Sequence, residues 1–195
     1  MLRRPLILAS GSPRRRQLLE EAGYQFEVLA PHEDVECGVC SQNGPAGLVT
    51  DLAFRKASAV RDQLSLPQPV ILVAADTVAE CDGFVLGKPR DEAHARAMLQ
   101  QLRGRAHRVL TGICVWPLDR AEPLVRVAVT QLVMDALSDE AIDDYLATGE
   151  WRGKAGAFGY QDRLGWVHVE EGSESNVVGL PLELLEEMLR EVGER

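Results

Sequence analysis

The sequence predicts a mixed α/β sheet in one domain, and three observations predict it. Strand-like runs alternate with helical periodicities along most of the 195 residues, the pattern of a layered α/β protein. Pro69–Glu80 (PVILVAADTVAE) is apolar almost without a break through Ala75, as expected of a central strand covered on both faces. Residues 107–117 and 124–134 read as two long strands joined around Asp119–Pro123, which adds antiparallel pairing. A chain of this length supports one domain with a substantial core, and no repeat, low-complexity tract or linker divides 1–195.

The elements follow in order. Pro5–Ala9 is a short apolar strand entering a turn at Ser10-Gly-Ser-Pro13, and Arg14–Ala22 is a helix with Leu18, Leu19 and Ala22 inward and Gly23 as its stop. Tyr24–Ala30 alternates as a second strand, and His32–Asn43 is a loop rich in acids, Cys and Gly. Pro45 fits the first turn of a long helix to about Leu64, with Leu48, Leu52, Ala53, Ala57 and Val60 facing inward. Asp82-Gly83 turns the central strand into Phe84–Leu86 as a hairpin. Asp91 caps a helix from Glu92 to Leu102 that Gly104 stops, and Ser138 caps another to Ala147 with Asp139 and Glu140 at its positive end. After a loop centred on Gly153–Gly159 come a last strand at Trp166–Val169 and a last helix at Pro181–Val192.

The net charge of −9 argues against a general nucleic-acid binder, which carries a basic face. Basic residues nevertheless crowd the start: Arg3, Arg4, Arg14, Arg15 and Arg16 all precede the first acid, Glu20, so a cationic pocket for a small anion is expected inside an acidic protein. Lysine is rare, at positions 56, 88 and 154 only. No stretch is long and apolar enough for a membrane span or a signal-peptide core, so a cytoplasmic protein is expected. Four cysteines (37, 40, 81 and 114) do not make a disulfide framework in a chain of this size.

Four segments carry chemistry. Ser10-Gly11-Ser12-Pro13-Arg14-Arg15 joins a strand to a helix: Gly11 permits close approach, the helix start offers free N–H groups, and two hydroxyls and two guanidinium forks complete a phosphate cradle. It lacks the glycine-lysine-threonine ending of a Walker A loop. Asp76-Thr77 ends the apolar run of the central strand. A carboxylate there is costly unless it projects into a cleft, where it can hold a divalent metal or accept a proton from water. Gly87-Lys88-Pro89-Arg90 is a rigid, doubly cationic turn suited to polyphosphate. Gly153–Gln161 (GKAGAFGYQ) offers rings for stacking a base, with backbone groups and Gln161 for its hydrogen-bonding edge.

Taken together, LASGSPRRRQLL at 8–19, LAFRKA at 52–57, AADTV at 74–78, GKPR at 87–90, the Thr-Gly pair at 111–112, GKAGAFGYQ at 153–161 and NVVGLPLE at 176–183 resemble the Maf family of nucleoside triphosphate pyrophosphatases. The resemblance spans Leu6 to about Leu185. It implies a single domain with a long central cleft, similar to inosine-triphosphate pyrophosphatases, usually as a homodimer. It implies hydrolysis of a nucleoside triphosphate to monophosphate and pyrophosphate, with Mg²⁺, Mn²⁺ or Co²⁺ as cofactor. By motif, Asp76 matches the proton acceptor and a metal ligand; Ser10, Arg14, Arg15, Lys56 and Lys88 match phosphate-handling positions; Arg14, Thr77 and Gln161 match positions for base selectivity. The GKAG-aromatic-x-x-Gln pattern looks like the branch acting on dTTP and UTP, with 7-methyl-GTP or broader modified nucleotides as the alternative.

Three departures accompany the match. Glu36 is chosen as the second metal carboxylate, with Glu33 and Asp34 as rivals, because the family's Asp-Glu pair aligns here only with a one-residue insertion. Asp162 follows Gln161 where the pyrimidine branch often has Gly, and Trp151 beside the base loop is placed to alter stacking. Lys154 is expected to shape the base loop rather than touch phosphate. Cys37-x-x-Cys40, with His32 and Cys81, is a weak zinc candidate; His94, His107 and His168 fall within elements and read as structural. A non-catalytic nucleotide-binding regulator of cell division is the rival of another class, disfavoured because such a sensor has no need of Asp76 beside a polyphosphate site.

Overall fold

A computed structural model describes residues 4–32, 35, 43–64, 69–162 and 164–194. The elements run β1 (Leu6–Leu8), α1 (Pro13–Glu21), β2 (Phe26–Val28), α2 (Gly44–Arg61), β3 (Ile71–Cys81), β4 (Phe84–Leu86), α3 (Glu92–Leu102), β5 (Ala106–Pro117), β6 (Leu124–Met134), α4 (Asp139–Thr148), β7 (Val167–Glu171), α5 (Glu174–Val178) and α6 (Leu182–Glu191). Among the described residues seven strands form one mixed sheet in the order β2-β1-β3-β5-β6-β7, with β4 also on β3. The β1 strand is parallel to β2 and β3, whereas β3, β5, β6 and β7 alternate in direction and β4 runs antiparallel to β3.

The apolar run of 71–75 is buried because α2 covers one face of β3 and the C-terminal helix α6 the other. Ile7, Leu72, Ala74, Cys114 and Trp116 pack with Ala53, Ala57 and Val60 of α2. Ile71, Val73, Ala75, Ile113 and Val115 pack with Leu185, Met188 and Leu189 of α6. A further cluster joins α3, α4 and the far ends of β5, β6 and β7.

The β3 edge facing β1 is paired only at its two ends. Strand β1 pairs with 71–73 and β4 with 79–81, so among the described residues 74–78 have a strand on one side only. Asp76 and Thr77 lie in this window, and because neighbouring strand residues point to opposite faces, each approaches the opening from a different side.

Most predicted elements are present. Asp91 Oδ1 accepts from the His94 N–H and Ser138 Oγ from the Ala141 N–H, as helix caps should. The second strand is shorter than its alternation suggests, at 26–28. In α2, Val49 rather than Leu48 is fully buried, and Lys56 joins the inward face. In α1 Leu19 is buried in the core as expected, Ala22 is exposed, and Arg15 joins the inward face one turn before Leu19, where hydrogen bonds inside the cleft hold it. The five-residue α5 was not predicted. Among the described residues no helix is long and apolar enough to cross a membrane.

Candidate active site

The window in β3 opens into a cleft of ≈ 790 Å³. Its walls bring together Ser10, Gly11, Ser12, Arg14, Arg15, Lys56, Asp76, Thr77, Lys88 and Gln161, every described residue that the sequence singled out for catalysis or substrate. Glu33, Asp34, Glu36, Cys37 and Cys40 lie outside the described residues.

The β1–α1 junction forms one end. Ser10, 5% exposed, accepts from the Ser12 N–H at 3.3 Å and from Arg15 Nη1 at 3.1 Å. Ser12 makes no capping hydrogen bond to α1, so no side chain there competes with an anion for the first N–H groups of the helix. Arg14 is half-buried, and its Nη2 donates to the Gly153 carbonyl at 2.8 Å, tying this junction to the predicted base loop.

Arg15 ties together three distant segments. Its Nε donates to the Gly179 carbonyl at 2.7 Å, Nη1 to Ser10, and Nη2 to Thr77 Oγ1 at 3.1 Å. Thr77 Oγ1 lies 2.9 Å from Thr111 Oγ1, and Thr111 donates to the Asn176 carbonyl at 3.2 Å. Asn176 Nδ2 donates to the Val109 carbonyl and Thr130 Oγ1, pinning α5 across β5 and β6. Sequence reasoning missed Asn176 and Gly179 as parts of the site. Ser173 at the start and Gly179 at the end were available signals, but five residues are too few to establish a helical period.

Asp76 is the only acid among the described residues lining the cleft. Lys56 Nζ donates to its Oδ1 at 2.6 Å, with both side chains largely buried. Lys56 stands on the face of α2 that packs against β3, so the helix delivers an ammonium directly to the strand carboxylate. Lys88 is exposed at the mouth of the cleft, in the segment after β4 that is fixed by the Gly156 N–H donating to the Gly87 carbonyl.

Among the described residues no three His, Cys, Asp or Glu side chains cluster as a metal cage. Mg²⁺ does not require one, since it is commonly held by one or two carboxylates together with substrate phosphates, and Asp76 beside a cationic cradle fits that donor set. Cys114 and Cys81 are buried, and burial pushes the Cys114 thiol up to about 12 and raises Cys81 as well, which leaves both poor nucleophiles.

The predicted base loop contains two short 3-10 turns, 155–157 and 160–162. Phe158 borders the cleft while stacking with Trp166 and touching Tyr145, and Gln161 is exposed at the rim. Trp151 does not alter stacking in the cleft. It is 4% exposed, belongs to the core and donates from Nε1 to the Leu146 carbonyl, because α4 places it on the inner side of the chain.

Of the histidines, His94 accepts the Arg90 N–H and His168 faces Asp135 at the surface. His107 lines the inner, apolar end of the cleft beside Leu132, Met134 and Val167. Burial holds its pKa below the usual histidine value, against a weak contact with the Arg105 carbonyl. The unfolded chain therefore takes up this proton more readily, and the His107 contribution to stability is complete above about pH 6.5 and declines as pH falls. The urea midpoint should drop between about pH 7 and pH 5 more steeply for the wild type than for His107→Gln. Equal slopes would exclude His107 as the source.

The fold and the cleft together define a mixed α/β protein whose described cleft residues set arginine and lysine side chains beside the carboxylate of Asp76. The Maf family, described as Maf-like protein, matches residues 5–192, and the chain belongs to it. A relative from Rhodopirellula baltica named dTTP/UTP pyrophosphatase is 48% identical over 185 residues, covering 94% of this chain and 80% of that protein. Relatives of the same name from Ruminiclostridium cellulolyticum (38% identical, 98% of each chain) and Symbiobacterium thermophilum (44%, covering 96% of this chain and 94% of that one) also match. The fold is similar to the solved Ham1 protein of Staphylococcus aureus (TM-score 0.55, 12% identity, 97% of this chain and 100% of that one). A HAM1 protein from Coxiella burnetii is likewise similar (TM-score 0.52, 16% identity, 96% and 99%).

Proposed function

We propose that this protein hydrolyses a pyrimidine nucleoside 5′-triphosphate, dTTP or UTP, to the nucleoside monophosphate and pyrophosphate. The observation that carries the reading is the meeting of Asp76 with Arg14, Arg15, Lys56 and Lys88 in one cleft. The names of relatives up to 48% identical support it. So does a net charge of −9, which suits a small nucleotide better than a nucleic-acid polymer.

Water attacks the α-phosphorus; its oxygen bonds to phosphorus while the bond to the bridging oxygen breaks and pyrophosphate leaves with the electron pair. Asp76 accepts the proton of the attacking water. Cationic groups must offset about four negative charges on the substrate and the growing charge on the leaving group. Arg14, Lys56 and Lys88 supply that field, and Arg15 shapes the cradle by holding Ser10, Thr77 and Gly179 in place. Asp76, with Glu36 or its rivals Glu33 and Asp34, would hold a divalent cation (Mg²⁺, Mn²⁺ or Co²⁺) that neutralises polyphosphate charge. Gln161 and the backbone of 153–161 meet the base. The same reading takes the protein to work as a cytoplasmic homodimer.

Incubation with Mg²⁺ or Mn²⁺ and dTTP, UTP, CTP and 7-methyl-GTP tests the proposal by product analysis. Monophosphate and pyrophosphate are expected, fastest from dTTP and UTP. Release of orthophosphate, or no turnover of any nucleotide, would overturn it.

A further inference from the structure

The base loop is closed by an ion pair that catalysis does not use. Lys154 Nζ lies 2.6 Å from both Asp162 carboxylate oxygens, and the two side chains are 7% and 12% exposed. The Tyr145 hydroxyl, delivered by α4, donates to Asp162 Oδ2 at 2.9 Å, while its ring packs against Phe158 and Trp166. The loop wraps tightly around this pair. A Cβ at Gly159 would stand 2.7 Å from Lys154 Nζ and 2.8 Å from the Asp162 carboxylate, and the Asp162 N–H donates to the Gly159 carbonyl. Gln161 sits between these anchors, immediately before Asp162, and the loop backbone from Gly153 to Gln161 forms much of one cleft wall.

The pair is also linked to the phosphate end. Arg14 holds the Gly153 carbonyl, one residue before Lys154, and the Asp162 charge favours the protonated Arg14 guanidinium against the burial that opposes it. The Tyr145 phenol is raised well above its ordinary value, first by burial and then by Asp162, so it remains a donor.

We infer that Lys154, Asp162 and Tyr145 form a latch that fixes the base-reading wall before the nucleotide arrives. Asp162 is then a positioning residue for base discrimination. The inference rests on the proposed nucleotide site and deepens it. Uracil and thymine present a keto oxygen and an N3–H where cytosine presents an amino group and a bare nitrogen. Backbone groups and an amide separate these patterns only when held in place, because a mobile wall re-orients to satisfy either. Binding energy otherwise consumed in ordering the loop goes into that choice.

The test compares Asp162→Asn, which keeps the volume but removes the charge, with Tyr145→Phe, which removes only one hydroxyl, and with Asp162→Glu as the rescue. In Asp162→Asn the preference for UTP over CTP should shrink by about tenfold through a higher KM for UTP, with kcat within about twofold of wild type. Tyr145→Phe should move the same way by less, and Asp162→Glu should recover part of the preference. Amide hydrogen exchange of the ligand-free proteins is measured alongside. Exchange in 154–162 should accelerate in Asp162→Asn while β3 and β5 stay protected. Unchanged exchange and an unchanged UTP-to-CTP ratio overturn the latch. A wild-type protein that turns over no nucleotide overturns the proposed activity instead, and exchange alone then decides whether the latch exists.

Discussion

Asp76→Asn should lower kcat/KM by about 10³-fold, within the range by which a positioned general base accelerates proton transfer, while nucleotide still binds. Asn is the informative replacement. Lys56 is 5% exposed and donates to Asp76, so alanine would remove both the carboxylate charge and the acceptor oxygen that face a buried ammonium, a kind of loss that costs about 3–5 kcal/mol in other buried pairs. The Asn amide oxygen keeps a hydrogen-bond acceptor for Nζ while removing the carboxylate charge and the proton acceptor, so it disturbs the fold less than alanine does. Turnover by stopped assay and affinity by calorimetry separate the two effects. Activity within tenfold of wild type would remove Asp76 from its role.

Gly112→Ala should destabilise the fold by about 3 kcal/mol or more and depress activity in whatever remains folded. A Cβ there would stand 2.6 Å from Thr50 N and closer still to the carbonyl carbon and oxygen of Val49, all backbone atoms of α2. Helix and sheet meet at this point without side chains between them. Gly112 is also the β5 register partner of Asp76, and Lys56 lies further along the same helix. Moving α2 outward to admit a methyl group therefore withdraws Lys56 from Asp76. Urea denaturation measures the loss, with Ile113→Val, a core deletion costing about 1 kcal/mol, as the reference. A change below about 1 kcal/mol would show that α2 yields easily.

The parts of the molecule legible in the sequence were those governed by short-range rules. The β3 strand announced itself because burial on both faces demands an uninterrupted apolar run, and Asp76 stood out by breaking it. Asp91 and Ser138 were readable as caps because the groups they satisfy lie three residues away. What escaped was set by contacts distant in sequence. Arg15 turns inward to meet Gly179, 164 residues away, and amphipathic periodicity carries no trace of that. The Thr77–Thr111–Asn176 chain draws on three elements, none of which alone signals a hydrogen bond. In sequence Asp162 is a departure from a family pattern and Lys154 a loop residue eight positions before it; the 3-10 turn at 160–162 brings them into an ion pair that neither position signals alone.

A β-strand with unpaired N–H and C=O groups is a template for another chain, and proteins that expose one court aggregation. Among the described residues the unpaired length of β3 is five residues, ended by β1 on one side and by β4 on the other. An intruding strand has no room to run past either end, and it would have to enter beside the buried Lys56–Asp76 pair. The protein can therefore leave part of its sheet unfinished, open to a small solute yet closed to polymers of its own kind.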